Sequence, residues 1–194
     1  MRSPKALCLT LVALSGAATL LAWAMPWFEL TLATSAAQQL SVEAPGEIAA
    51  PALSALGLAG LALTAALGLV GPVMRIVLAI VQIALGTAVT ASSALALSNP
   101  IAASARIITE TTGVAGTSGI AELVSDATPT VWPFVALVVG CVSVLSGVAI
   151  IVTARRWPGP TRKYDANPAD AGMPADDTVS DWDRLSDGTD PTSR

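Results

Sequence analysis

The stretch "APALSALGLAGLALTAALGLVGPVMRIVLAIVQIALGTAVTASSALAL" (residues 50–97) decides the fold, and Arg75 is its only charged residue. A helix needs about 20 apolar residues to cross the hydrocarbon core of a membrane. The sequence Gly71-Pro72 interrupts the run, because proline ends a preceding helix. We therefore predict two membrane spans, 50–70 and 73–97, joined as a tight helical hairpin.

Two more stretches of the same length and character occupy residues 6–25 and 131–154. Only 12% of the 194 residues are charged and 53% are hydrophobic, whereas a soluble domain carries about a quarter charged residues. This pattern predicts an all-α integral membrane protein whose membrane domain, residues 1–154, is a bundle of four transmembrane helices. The sequence leaves one alternative for the first span, a secretory signal cleaved after "AWA" (22–24).

The placement of lysine and arginine predicts the orientation of the spans, since basic flanks stay in the cytoplasm. The flanks of one side hold Arg2, Lys5, Arg75, Arg155, Arg156, Arg162 and Lys163. In the two long loops, 26–49 and 98–130, the only basic residue is Arg106. We expect a multi-pass protein of the plasma membrane with both termini in the cytoplasm. An aromatic belt at the two membrane surfaces would then contain Trp23, Trp27, Trp132 and Trp157.

Small and polar residues follow helical spacing within the spans. Stripes of small residues predict close helix packing, and they comprise Ser54, Gly57, Gly60, Thr64, Gly68 and Gly71 in span two and Ala136, Gly140, Ser143 and Gly147 in span four. The polar face of span three comprises Arg75, Gln82, Gly86, Thr90 and Ser93. Either it is a polar track for a substrate, or Gln82 bonds a neighbouring helix while Arg75 extends to the lipid headgroups.

The two extracytoplasmic loops carry weaker patterns. Residues 27–35 and 38–46 alternate between apolar and polar, which predicts a β-hairpin. In the second loop we predict a helix between Asn99 and Gly113, and one or two helical turns over 120–126. A ligand or partner site on these loops and a lid without a ligand both remain open.

The sequence contains none of the common catalytic signatures. Histidine is absent, and Cys8 and Cys141 both lie inside apolar spans, where we expect them to be buried as small hydrophobic residues. No phosphate-binding glycine loop or metal-ligand spacing occurs. We therefore expect no enzymatic activity, cofactor or metal. We also expect no nucleic-acid binding, because the basic residues lie beside the membrane and the tail is acidic.

The character of the chain changes after the fourth span. Residues 155–165 form a basic juxtamembrane collar, typical of contact with anionic lipids through Arg155, Arg156, Trp157, Arg162 and Lys163. The acidic tail, 166–194, has the composition of a disordered segment. Near its end, Trp182 and Leu185 share one face of a predicted short helix, which is typical of a docking motif; a solvated tail is the alternative.

The chain resembles the tryptophan-associated transmembrane proteins of actinobacteria, which are small four-span proteins encoded among tryptophan-biosynthesis genes. The resemblance depends on "RRWP" (155–158), "RKYD" (162–165) and the terminal residues Trp182, Leu185, Gly188, Asp190, Pro191 and Thr192. Phe28 and Ser186 depart from the family pattern, where a second tryptophan and an acid are usual. The resemblance implies a link to tryptophan metabolism and supplies no activity.

Three functions stay open at the level of sequence. The leading hypothesis is a non-enzymatic membrane accessory or adaptor protein, linked to tryptophan biosynthesis, whose tail docks a soluble partner. The second is a small transporter, or transporter subunit, for an aromatic amino acid or precursor, which would use Arg75, Gln82, Thr90 and Ser93. The third is a purely structural tetraspan protein. Neither the partner nor the oligomeric state follows from the sequence.

Overall fold

The computed structural model describes residues 4–33, 39–154 and 157. In chain order the elements are α1 (Pro4–Ala24), β1 (Pro26–Ala33), β2 (Gln39–Pro45), α2 (Gly46–Ala49), α3 (Ala52–Leu69), α4 (Pro72–Ser98), α5 (Pro100–Ala103), α6 (Ala105–Thr112), α7 (Thr117–Leu123), β3 (Val124–Pro129) and α8 (Trp132–Thr153).

Four helices, α1, α3, α4 and α8, are long and apolar enough to cross a membrane. Between 28 and 33% of each span is buried inside the protein. The remaining surface is apolar and lies against lipid, because hydrocarbon tails satisfy apolar side chains as well as a protein core does. The predicted mostly helical protein with four membrane spans is confirmed.

The four spans form a closed ring in which α3 packs between α1 and α4, and α8 packs between α4 and α1. The turn at Gly71-Pro72 reverses the chain, with Pro72 in the first turn of α4, where its missing N–H costs no hydrogen bond. We call the end with this turn the hairpin end. The opposite end, which carries the strands and the short helices, is the cap end.

Glycines bring α4 and α8 into backbone contact. A Cβ atom added to Gly86 would lie 2.7 Å from the Val144 amide nitrogen, and one added to Gly147 would lie 3.0 Å from the Ala79 carbonyl oxygen. Gly140 faces the Thr90 backbone in the same way. The predicted stripe of small residues on the fourth span therefore faces α4. In a membrane, such close packing stabilises helix contacts that the hydrophobic effect does not.

The α1–α3 contact uses only part of the stripe predicted on the second span. A Cβ on Gly57 would lie 3.1 Å from the Gly16 carbonyl oxygen, so the two backbones nearly touch. In contrast, Cβ atoms on Gly68 and Gly71 would meet nothing within 4 Å. The stripe thus packs at its cap-end half and leaves these two glycines open.

The cap contains a three-stranded antiparallel sheet in the order β2-β1-β3. Leu30 of the central strand faces Val42 on one side and Ala127 on the other. From Phe28 onward alternate residues of β1 are buried, namely Phe28, Leu30 and Leu32, because successive strand residues point to opposite faces.

The second loop differs from its prediction in two places. The predicted helix between Asn99 and Gly113 is interrupted at Ser104, which separates α5 from α6. The Asn99 side chain accepts a hydrogen bond from the Ala102 amide at 3.1 Å, and Gly113 ends α6 in the left-handed region, at φ 73°. Our prediction of helical turns over 120–126 is wrong from Val124 onward, because pairing with β1 holds that segment extended as β3.

Two other predictions for single side chains are also wrong. Trp27 belongs to the cap core and not to an aromatic belt: it is fully buried, and its indole N–H donates to the Ala22 carbonyl at 2.7 Å. Cys141 is exposed on the outer surface of α8, whereas Cys8 is buried as expected. Both thiols are free.

Candidate functional site

Arg75 and Trp157 form the centre of a polar cluster at the hairpin end. Arg75 is 1% exposed, and its two terminal nitrogens donate to the carbonyls of Ala154, at 3.0 Å, and Val70, at 3.2 Å. Those carbonyls end α8 and α3, where the helix dipole is negative and the last carbonyls lack helical partners. One guanidinium therefore caps two helices.

Trp157, four residues after the end of α8, closes over this guanidinium. The Arg75 Cζ atom lies 4.6 Å from the centre of its ring, and the Trp157 indole N–H donates to the Thr153 hydroxyl at 3.0 Å. Trp157 is only 5% exposed. One of our two interpretations had Arg75 reach the headgroups, and we expected Trp157 to join a belt. Both expectations are wrong, because the free helix ends and the ring compensate the buried charge.

The other residues predicted for the collar and the tail lie outside the described part of the chain. These are Arg155, Arg156, Arg162, Lys163, Trp182, Leu185, Gly188, Asp190, Pro191 and Thr192. The disordered tail and the terminal docking helix concern these residues and therefore stay predictions.

A second polar cluster lies within the membrane spans, between α4 and α8. The Gln82 side-chain nitrogen lies 2.6 Å from the Ser143 hydroxyl and 3.5 Å from that of Ser146. Gln82 is 1% exposed, and its side-chain oxygen has no hydrogen-bond partner among the described residues. The amide thus joins the two helices, as one of our two interpretations of this face predicts.

The remaining polar residues of this face do not extend the cluster. The hydroxyls of Thr90 and Ser93 donate to carbonyls of their own helix, at 2.9 Å each. Arg75 lies seven residues from Gln82, about 10 Å along the helix axis, and bonds different partners. The predicted polar face therefore does not form one continuous track. Arg75 and Gln82 bond different partners, and the hydroxyls of Thr90 and Ser93 bond carbonyls of α4 itself.

A third arrangement, which the sequence did not indicate, is a cavity of about 390 Å³ at the cap end. Its lining consists of Trp23, Pro45, Glu47, Ile48, Arg106, Ile107 and Glu110. Arg106 and Glu110 form an ion pair at 2.8 Å, and this hydrogen bond and charge, with a smaller effect of Glu47, raise the pKa of the Arg106 guanidinium. No sequence pattern joins these residues, because they come from α1, the end of β2, α2 and α6.

The described residues contain no group of three or more histidine, cysteine, aspartate or glutamate side chains that would hold a metal ion. The three arrangements thus offer hydrogen bonds, charge and apolar surface. They are suited to holding helices, chain segments or small ligands.

Comparison with known proteins gives one match, and it covers nearly the whole chain. No curated protein and no solved structure matches significantly. The model of one protein family, however, matches residues 9–192, which include most of the first span, the other three spans, the cap and most of the tail. The chain therefore belongs to the tryptophan-associated transmembrane protein family.

Proposed function

We propose that this protein is a non-enzymatic membrane accessory protein whose C-terminal tail docks a soluble cytoplasmic partner. The observation that carries the proposal is the contact between Arg75 and Trp157. It fixes the first segment beyond the last span to the bundle, so the chain that follows starts from a defined point. A bundle built to display its tail needs such a fixed point, whereas a passive anchor does not.

The tail supplies the proposed docking motif, Trp182 and Leu185. The 24 residues between Trp157 and Trp182 would span roughly 25–30 Å as a flexible coil. That distance is enough to present the motif clear of the membrane surface while keeping it near the bundle. An apolar pair at helical spacing is suited to a groove on a partner protein.

The proposed orientation places the hairpin end in the cytoplasm of a plasma-membrane protein. The described structure supports it by charge. Lys5 and Arg75 lie at the hairpin end, and Lys5 donates to the Gly68 carbonyl at 3.3 Å. The cap-end segments contain the acidic residues Glu29, Glu43, Glu47, Glu110, Glu122 and Asp126. Reporter fusions test it: alkaline phosphatase should be active after residue 116 and inactive after residue 194.

The family description supports a link between the partner and tryptophan biosynthesis. Site-specific photo-crosslinking from position 182 in native cells, followed by mass spectrometry, tests the adaptor function. We expect one discrete soluble protein, lost with Leu185→Ala and absent when the crosslinker stands at position 167. Lipid, self-crosslinks or diffuse products alone would contradict docking.

The competing transporter hypothesis draws on the buried amide of Gln82. Its side-chain oxygen lacks a described partner, as expected of a group that awaits a polar substrate. The packing speaks against it, because Gly86 and Gly147 hold α4 and α8 in backbone contact on both sides of Gln82. Deletion of residues 166–194 separates the hypotheses. An adaptor would lose its function with the tail, and a transporter would keep most of its function. A purely structural protein would be unaffected by the deletion.

A further inference from the structure

The cap-end cavity has an apolar lining and a charged rim. Pro45, Ile48 and Ile107 are partly buried and contribute apolar surface, together with the half-buried ring of Trp23. The charged residues of the lining, in contrast, are exposed: Glu47, Arg106 and Glu110. With a volume of about 390 Å³, the cavity falls in the size range of small-molecule sites.

The charges of the rim do not cancel. Two carboxylates, Glu47 and Glu110, stand against one guanidinium, Arg106. Glu110 is engaged by Arg106 at 2.8 Å, whereas Glu47 forms no ion pair with a residue of the described ranges. The cavity therefore carries one negative charge in excess beside an aromatic ring, and both features attract a cation.

One polar group in the wall also lacks a partner. The indole N–H of Trp23 is shielded from solvent, and no acceptor for it lies within the described part of the chain. A donor left without an acceptor costs about 1–3 kcal/mol. Its neighbour Trp27 shows that the cap can satisfy an indole, through the Ala22 carbonyl. Because this N–H is shielded, Trp23 contributes to the cavity through the accessible part of its side chain and not through its donor.

We propose that this cavity binds a small molecule that carries an ammonium group on an apolar body. Glu47 and Glu110 bind the ammonium, and the apolar body lies against Trp23, Ile48 and Ile107. An ammonium of this kind occurs in plain amines and in amino-acid zwitterions. A zwitterion adds a carboxylate, for which the exposed guanidinium of Arg106 is the matching donor.

The test is isothermal titration calorimetry on the full chain in lipid nanodiscs with three probes that share one phenyl body. These are phenethylamine, L-phenylalanine and 3-phenylpropionate. We expect the two ammonium compounds to bind and the anion to bind at least tenfold more weakly. Glu47→Gln should weaken ammonium binding about fivefold, the effect of one lost charge pair at an exposed site, and the double variant with Glu110→Gln should weaken it further.

Arg106→Gln distinguishes the two sources of ammonium. The substitution frees Glu110 from its ion pair, so phenethylamine should bind equally well or more tightly. If L-phenylalanine binds more weakly to this variant, its carboxylate uses Arg106 and the natural ligand is a zwitterion; if it follows phenethylamine, a plain amine is the ligand. Glu122→Gln, an exposed acid outside the cavity lining, is the matched control and should change nothing.

The proposal is overturned if neither ammonium probe binds, if all three probes bind alike, or if Glu47→Gln and Glu122→Gln behave alike. Because all four substitutions replace exposed charges on the cap, they leave the membrane spans intact. The result is independent of the adaptor function, since crosslinking from position 182 can fail or succeed whatever the cavity binds.

Discussion

The Cζ atom of Arg75 lies 4.6 Å from the ring centre of Trp157, and its two terminal nitrogens donate to the carbonyls of Val70 and Ala154 at the ends of α3 and α8. This pair joins the turn between the second and third spans to the segment that follows the fourth. The two bonds and the π face offset much of the cost of burying this arginine, although its Nε–H has no partner among the described residues. The pair therefore connects the stability of the bundle to the start of the tail.

Trp157→Ala should lower the free energy of unfolding by about 2–3 kcal/mol, through loss of the cation–π contact and of the hydrogen bond to Thr153. Trp157→Phe keeps a π face and should cost about 1 kcal/mol. The measurement is denaturant unfolding in detergent micelles. Phe134→Ala is the control, because Phe134 is 50% exposed on α8. Equal stability of the alanine variants at 157 and 134 would show that the contact contributes nothing.

Gly86→Leu should separate α4 from α8 and destabilise the bundle by about 3 kcal/mol or more, since overpacking here pushes against backbone. Gly68→Leu places the same side chain where nothing lies within 4 Å, so we expect no destabilisation and a gain of up to about 1 kcal/mol from helix propensity. Both substitutions gain the same helix propensity, which therefore cancels. Thermal unfolding of the two variants is the measurement, and similar midpoints would contradict the close packing of α4 and α8.

The sequence predicted the parts of the fold that depend on local pattern. Four apolar runs gave the spans, and Gly71-Pro72 gave the reversal between α3 and α4. The strand β3 was missed because its segment, 124–129, has no regular alternation and becomes extended only through pairing with β1. Long-range pairing of this kind leaves no mark in a local window.

The candidate sites were harder to predict because their partners are backbone atoms or distant segments. The burial of Arg75 depends on the carbonyls of Val70 and Ala154, and no side-chain pattern marks a carbonyl as an acceptor. The Gln82 bond was predicted as a contact with a neighbouring helix, and the structure adds Ser143 and Ser146 as its partners. For the cap-end cavity, the sequence left open a ligand or partner site on the two loops but indicated none of its residues.

Gly46→Val should disrupt the cap and leave the spans in place. A Cβ at Gly46 would lie 2.6 Å from the Trp27 indole nitrogen and 2.7 Å from the Trp23 carbonyl oxygen, so the branched side chain displaces Trp27 from its bond to Ala22. We expect a red shift of tryptophan emission and faster proteolysis of the cap, with unchanged helicity by circular dichroism. Gly71→Val, where nothing lies within 4 Å, should leave emission and proteolysis unchanged.

The bond between Gln82 and Ser143 predicts an asymmetry between two substitutions. Ser143→Ala removes the acceptor at 2.6 Å and leaves the amide nitrogen only the 3.5 Å contact with Ser146, so both ends of a buried amide become poorly satisfied. Gln82→Leu removes the amide together with its unpartnered oxygen, and the Ser143 hydroxyl that remains can rotate to donate to a carbonyl of its own helix. Leaving a buried group unpaired costs more than replacing it by an apolar one of similar shape.

Ser143→Ala should therefore destabilise the protein by about 1–2 kcal/mol, whereas Gln82→Leu should be nearly neutral or stabilising. The double variant should resemble Gln82→Leu, because no amide is left to satisfy; a double-mutant cycle of unfolding free energies measures this coupling. If the amide instead serves a transported substrate, Gln82→Leu would abolish aromatic amino-acid flux in cells while Ser143→Ala would spare it. A flux unchanged in both variants, together with the asymmetry in stability, identifies the Gln82 bond as a structural link between α4 and α8.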